Sequence, residues 1–262
     1  MKRTMTFADK FYPKSPEKLK KFFEVYAEKV KLEFSNNNFG MILPHAGYVY
    51  SGKTALLTLK ESFRFGKPER VIILGTNHTG TGIGICSVWE RGEWETPFGN
   101  IAVDEKITEK LLKFDIFVSD YAAHTMEHSI EVILPFLKYY YGDIKLVPIV
   151  YNFPSHLYTM RIVEILKKLE LKSTLIIASS DLNHYDPHDI TMKKDEIFIE
   201  NILKQNVEEL FKLSKKITAC GTGPIAVLLN YFSNVKLVYH TTSAEFSNDY
   251  NFTVGYAGFV LW

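Results

Sequence analysis

Five side chains in this sequence join the chemistry to bind a metal, move a proton or attack an electrophile to a position that suits a site: His45, His78, Asp181, His184 and Cys220. An imidazole at the end of a buried strand is a common metal ligand, and two of them on neighbouring strand ends can share one ion. His45 ends the run Met41-Ile-Leu-Pro-His45, and His78 follows Val71-Ile-Ile-Leu-Gly75 across a short polar turn. His184 comes three residues after Leu175-Ile-Ile-Ala-Ser-Ser-Asp181. Three histidines placed alike point to one site, although each taken alone could simply satisfy the hydrogen bonds of a buried turn.

Cys220 precedes Gly221-Thr-Gly-Pro224 at the approach to a helix. A helix N-terminus favours the thiolate, which serves as a metal ligand or a nucleophile. Cys86, inside an apolar run, reads as a small buried hydrophobe. Asp181 and His184 form an Asp-x-x-His pair in which the carboxylate could accept a ring N–H and so select the tautomer. Glu127, beside His128, reads either as a favourable charge at a helix start or as a support for the site. His124, His156, His188 and His240 lack a strand-end context and are expected at turns or on the surface.

The elements that must position these residues follow from apolar patterning. Short, continuous, β-branched runs at 39–43, 71–74, 145–150 and 175–178 read as strands buried on both faces, as in parallel sheets. In open α/β sheets the ligand lies beyond the carboxyl ends of such strands. Ser15-Pro16-Glu17 starts a helix whose apolar face is Leu19, Phe22, Phe23, Tyr26 and Val30. Further helices are expected at 54–62, 104–113, from His124 to about Tyr141, and from Ser155 to about Leu169. The last helices are expected at 190–203, 206–213 and 224–231. Ile83 to Trp89 reads as a strand leading into a hairpin-like excursion through Thr96-Pro97, and the strands Val235–Tyr239 and Val254–Leu261 close the sheet. The glycines at 80, 82 and 84 precede that strand rather than a helix, which excludes a dinucleotide fingerprint. The alternation predicts a single α/β domain over 1–262, a three-layer α/β/α sandwich around a mostly parallel sheet.

Composition narrows the functional classes. Lys+Arg number 31 against 30 Asp+Glu, with no long run of one sign, so a nucleic-acid surface is not expected. The sequence has no run of 18 apolar residues, and Met1 to Tyr12 lacks the apolar core of a signal peptide. Neither membrane insertion nor secretion is expected, and the predicted location is the cytoplasm. Two cysteines are too few for a disulfide framework.

Several stretches together resemble the MEMO family: Pro44-His-Ala-Gly-Tyr48, Ile73-Leu-Gly75 followed by His78, Glu127-His-Ser-Ile-Glu131, Ser179-Ser-Asp181 with His184, and Cys220 with Pro224-Ile225 before Val227-Leu-Leu-Asn230. They span nearly the whole chain in the family's order. The resemblance implies a fold like that of the class III extradiol dioxygenases, whose non-haem Fe(II) is held by two histidines and a glutamate. It implies a metal set of His45, His78 and Cys220, with Asp181 and His184 lining the pocket as the catalytic candidates. Animal members are linked to phosphopeptide binding, which is not carried over here. Prokaryotic members neighbour a radical-SAM protein and an AMMECR-type protein, which the resemblance implies as pathway partners.

The leading expectation is a metal-binding protein with one transition ion, Fe(II) or copper ahead of zinc, and redox or oxygen-linked chemistry on an unknown small molecule or peptide. His184 is the expected acid/base, oriented by Asp181. The first alternative is a metal-free hydrolase with Cys220 as nucleophile and His45 or His184 as base. The second is a peptide-binding module in which Tyr48, Tyr50 and Tyr185 line a groove.

Overall fold

The apolar runs at 39–43, 70–76, 145–151 and 174–179 form the centre of one twelve-stranded sheet. The computed structural model describes residues 1–262. In chain order its first half comprises β1 (Lys2–Arg3), α1 (Pro16–Tyr26), β2 (Phe39–Leu43), α2 (Tyr48–Ser62), β3 (Arg70–Thr76), β4 (Cys86–Val88), β5 (Glu93–Trp94), β6 (Ile101–Val103), α3 (Glu105–Leu111), β7 (Phe117–Ser119), α4 (Ala122–Thr125) and α5 (Leu134–Tyr141). The second half comprises β8 (Lys145–Tyr151), α6 (His156–Lys168), β9 (Thr174–Ser179), β10 (His184–Asp186), α7 (His188–Leu203), α8 (Val207–Leu213), α9 (Thr222–Tyr231), β11 (Val235–Thr242), α10 (Ala244–Ser247) and β12 (Thr253–Leu261).

The strands β6-β8-β3-β9-β2 lie side by side and parallel, and β12 joins β2 antiparallel. Alternation along each strand divides the core in two. Ile72 and Leu74 face one layer with Ile162, Phe198, Leu210 and Val227 of α6 to α9. Val71 and Ile73 face the other with Leu19, Phe23, Leu56 and Phe136 of α1, α2 and α5. Each such side chain, fully buried, contributes about 1.5–3 kcal/mol. A helix cap contributes about 1 kcal/mol, so packing across the layers dominates. The expected three-layer arrangement around a mostly parallel sheet is therefore the observed one. No helix is long and apolar enough to cross a membrane.

Local starts follow the capping residues. Ser15, Ser155 and Asn206 each accept a backbone N–H from three residues on, opening α1, α6 and α8. Three expectations need correction. The helix expected from Thr54 starts at Tyr48 and runs through Gly52. Helix α1 ends at Tyr26, which leaves Val30 outside it and exposed. The helix expected from His124 to Tyr141 is broken: α4 ends at Thr125, a single 3-10 turn covers Glu131–Ile133, and α5 begins at Leu134. Pro135 explains the restart, because proline fits the first turn of a helix but breaks its interior.

The segment before α1 is tied down by a buried ion pair. The guanidinium of Arg3 lies 2.9 Å from Glu131 Oε2, and both side chains are almost fully buried. The same carboxylate accepts the backbone N–H groups of Thr6 and Phe7 and the hydroxyl of Tyr12. Arg3 also donates to the carbonyls of His124 and Glu127. This network fixes the N-terminal segment across the carboxyl ends of the central strands.

Candidate metal centre

Parallel pairing sets Leu43 beside Ser179 and Leu74 beside Ala178, so β3, β9 and β2 end together. His78, Asp181 and His45 follow those three ends, which is why residues far apart in sequence share one rim. Cys220 arrives from the other direction, in the loop before α9. Its backbone passes so close to β9 that a Cβ on Gly221 would stand 2.4 Å from Ser180 Cβ and 2.5 Å from the Ser179 carbonyl. Glycine is required there. The loop is held by Gly221 N–H donating to Ser180 Oγ and by Asp181 N–H donating to Cys220 Sγ at 3.3 Å.

The hydrogen bonds define which ring atoms face the site. Ser179 Oγ donates its single proton to the Ser129 carbonyl at 2.6 Å, so at 2.7 Å it accepts from His45 Nδ1–H. His45 Nε2 is thereby left for Cys220 Sγ, 3.4 Å away. Two donors on one tetrahedral ion, each about 2.0–2.3 Å from it, are about 3.5 Å apart. In the second imidazole, His78 Nδ1–H donates to Glu127 Oε1 at 3.0 Å, while His78 N–H donates to Glu127 Oε2 at 2.6 Å. The carboxylate clamps both, turning His78 Nε2 toward Cys220, the arrangement by which carboxylates orient metal-binding histidines. Glu127 reaches His78 because its loop passes tightly over β3: a Cβ on Gly75 would stand 2.7 Å from Ile130 and 2.8 Å from Ser129 Oγ. One ligand atom from each of His45, His78 and Cys220 lies within 4.8 Å of the others, a set that could hold a metal ion.

Charge follows this geometry. Burial would raise the Cys220 thiol, but the charge and hydrogen bond of His45 and the contact with His78 outweigh it, lowering it from 9.0 to about 6. Burial would lower His78, yet its bonds to Cys220 and Glu127 raise it from 6.5 to about 10. The Glu127 carboxyl is held below its usual range: burial opposes this, but the hydrogen bond and charge of His78 and the charge of His128 prevail. Without a metal, these shifts favour a thiolate at Cys220 facing a protonated His78.

Asp181 and His184 both line the pocket, but not as the expected pair. Asp181 Oδ1 accepts the backbone N–H of His45 at 2.8 Å, and burial raises its carboxyl. His184 Nδ1–H donates instead to the Thr218 carbonyl at 2.9 Å, with its N–H on Thr218 Oγ1 at 2.7 Å. The orienting partner of His184 is thus Thr218, and its Nε2 is the ring atom left over. A bulge helps to aim it. Register shifts between His184 and Asp186, and Tyr185 between them has φ 67°, a conformation a bulky residue rarely adopts.

His128, which the sequence left without a role, lines the pocket of about 300 Å³ together with His45, His78, Asp181 and His184. It stacks on His78 at 4.5 Å and lies tilted against Phe11 at 4.7 Å, and burial with the charge of His45 favours its neutral form. His78, Glu127 and His128 also have ligand atoms within 4.8 Å of one another. The Glu127-His128 dipeptide carries the available signal, which helical spacing through 124–141 masks. His124 and His240 are corrected too. His124 is fully buried, donates through Nε2 to the Ser87 carbonyl and is pushed down to about 4 by burial. His240 Nε2 meets the buried Asp195 carboxylate at 3.0 Å. Tyr48 is packing, buried with its hydroxyl on the Val132 carbonyl, whereas Tyr50 and Tyr185 are exposed.

Comparison with known proteins agrees with the whole length of the chain. The family model described as Memo-like protein matches residues 3–260. A MEMO1 family protein of Saccharolobus islandicus is 38% identical over 283 aligned positions, covering 98% of both chains. A MEMO1 family protein of Thermotoga maritima is 40% identical over 232 positions, covering 86% of this chain and 83% of its own. The crystal structure of an uncharacterized Escherichia coli K12 protein superposes with a TM-score of 0.59 at 11% identity, covering 86% of this chain and 99% of that one, a likeness of fold. With the family model matched end to end and such relatives nearly full length, the chain belongs to the MEMO family.

Proposed function

We propose that this chain is a metal-dependent protein in which His45, His78 and Cys220 hold one transition metal ion and support redox or oxygen-linked chemistry on a small molecule or peptide. The observation that carries this reading is the hydrogen bonding of the two imidazoles. Ser179 and Glu127 occupy both Nδ1 atoms, which turns the two Nε2 atoms toward one low-pKa thiol. Two imidazoles and a thiolate form a borderline-soft set that suits Fe(II), copper or zinc. Iron or copper there would supply an electron couple and a place for an oxygen-bearing group of the substrate. The protein's own part is proton transfer and positioning. His184 Nε2 can take or give a proton at the pocket wall while Thr218 fixes its ring, and Asp181 fixes the backbone of His45.

A second reading is a metal-free hydrolase with Cys220 as nucleophile and His45 as base, supported by the 3.4 Å contact between Sγ and Nε2. The pH dependence of zinc binding separates the two. A metal needs the Cys220 thiolate and a neutral His78 Nε2. With His78 raised to about 10 and Cys220 lowered to about 6, the metal-free site at neutral pH holds one proton to be displaced, and below about pH 6 it holds two. Affinity in a competition titration should therefore rise about tenfold per pH unit from about pH 6.5 to 8, and more steeply with pH below about 6. Weak affinity with no pH dependence contradicts the metal reading and favours the nucleophile.

A further inference from the structure

A second cavity, of about 230 Å³, adjoins the metal pocket and shares Val254 and Tyr256 with it. Its other walls include Tyr50, Phe252 and Ser247, with Asp249 among them. Neither cavity is lined by a lysine or arginine. Tyr256, on β12, stands between the two and is 2% exposed as a residue. Its hydroxyl makes no side-chain hydrogen bond within the protein, and burial with the nearby Asp181 charge keeps it protonated. At the junction of the two cavities this hydroxyl is a donor that a bound acceptor can meet.

We propose that the two cavities are one substrate groove: an oxygen-bearing head sits at His45, His78 and Cys220, and an uncharged aromatic or branched apolar tail fills the chamber of Tyr50, Phe252, Val254 and Tyr256. The Tyr256 hydroxyl donates to an oxygen of the head where the two meet. The head's position rests on the metal reading above; the tail chamber does not. A cavity of about 150 Å³ lined by apolar side chains accommodates benzene, so this chamber has room for a phenyl group. The Asp249 carboxylate, whose Oδ1 accepts Asn251 N–H, selects against an acidic tail.

Acetohydroxamate and 3-phenylpropanohydroxamate provide the test, titrated by calorimetry into metal-free and zinc-loaded protein. The phenyl probe should bind at least tenfold more tightly than the short one, and Ser247→Phe, which fills the chamber from an exposed helix, should bring that ratio to about one. Tyr256→Phe, which removes only the hydroxyl, should weaken both probes several-fold in parallel. Equal binding of the two probes, or no saturable binding of the phenyl probe to either form, overturns the chamber. A ratio unchanged by Ser247→Phe does the same. Loss of zinc dependence with the ratio intact removes the metal reading and leaves the chamber standing. Zinc-dependent binding with a ratio of one does the reverse.

Discussion

Replacing Cys220 by serine should lower the affinity for Cu(I) and Zn(II) by about 100-fold or more, because a thiolate ligand is lost outright and even an outer carboxylate contributes 10–100-fold. Thermal stability of the metal-free protein should fall only by what the thiolate–His78 pair contributes, since Glu127 still holds His78. Cys220 makes no core contact of its own: it accepts one N–H from Asp181 and faces His45, both available to a serine oxygen. Cys220→Glu exchanges a polarisable donor for a hard carboxylate and should move preference toward Fe(II). The parent, with iron or copper and oxygen together, should oxidise its own thiolate and cleave catechol rings poorly. Competition titration under reducing conditions checks the first statement. Equal copper affinity in parent and Cys220→Ser shows that the thiol is not a ligand.

Glu131→Gln should destabilise the fold by about 3–5 kcal/mol, the range for breaking a buried ion pair by removing one partner. Arg3 would be left buried without a counter-charge, and Thr6, Phe7 and Tyr12 would share a weaker acceptor. For a chain of this size the loss corresponds to a fall in Tm of about 6–20 °C. The segment that loosens carries Phe7 and Phe11, whose rings lie 5.6 and 4.7 Å from that of His128, so the pocket wall loosens with it. Arg3→Met together with Glu131→Gln should be less destabilised than Glu131→Gln alone, since the uncompensated guanidinium is gone. Denaturant melts of the three proteins check this; a loss below about 1 kcal/mol for Glu131→Gln would show that the pair does not hold the segment.

The parallel centre of the sheet was legible because Val71–Leu74 and Leu175–Ala178 are buried on both faces and therefore apolar without alternation. That pattern also placed His45, His78 and Asp181 at one rim, since parallel strands in register end together. The Glu127 clamp was not legible. Its loop is made by Pro135 downstream and by the close passage over Gly75, and local helical spacing through 124–141 masked both. The pairing of Asp181 with His184 failed for a similar reason. Sequence proximity suggested a carboxylate–imidazole bond, whereas the bulge at Tyr185 turns His184 toward Thr218, a residue 34 positions away. His124 and His240 carry no local sign of burial, because partners such as Ser87 and Asp195 lie far off in sequence. Long-range partners of single polar residues are what a local reading misses.

The central claim is that two imidazoles turned by Ser179 and Glu127 and one thiolate hold a metal. Metal content by mass spectrometry on protein freshly isolated without chelators tests it most directly, in the parent and in His45→Ala, His78→Ala and Cys220→Ser. The expected result is about one transition metal ion per chain in the parent and a large loss in each variant, with the fold retained by circular dichroism. A parent without stoichiometric metal, unable to take up Fe(II), copper or zinc when they are supplied, would contradict the account.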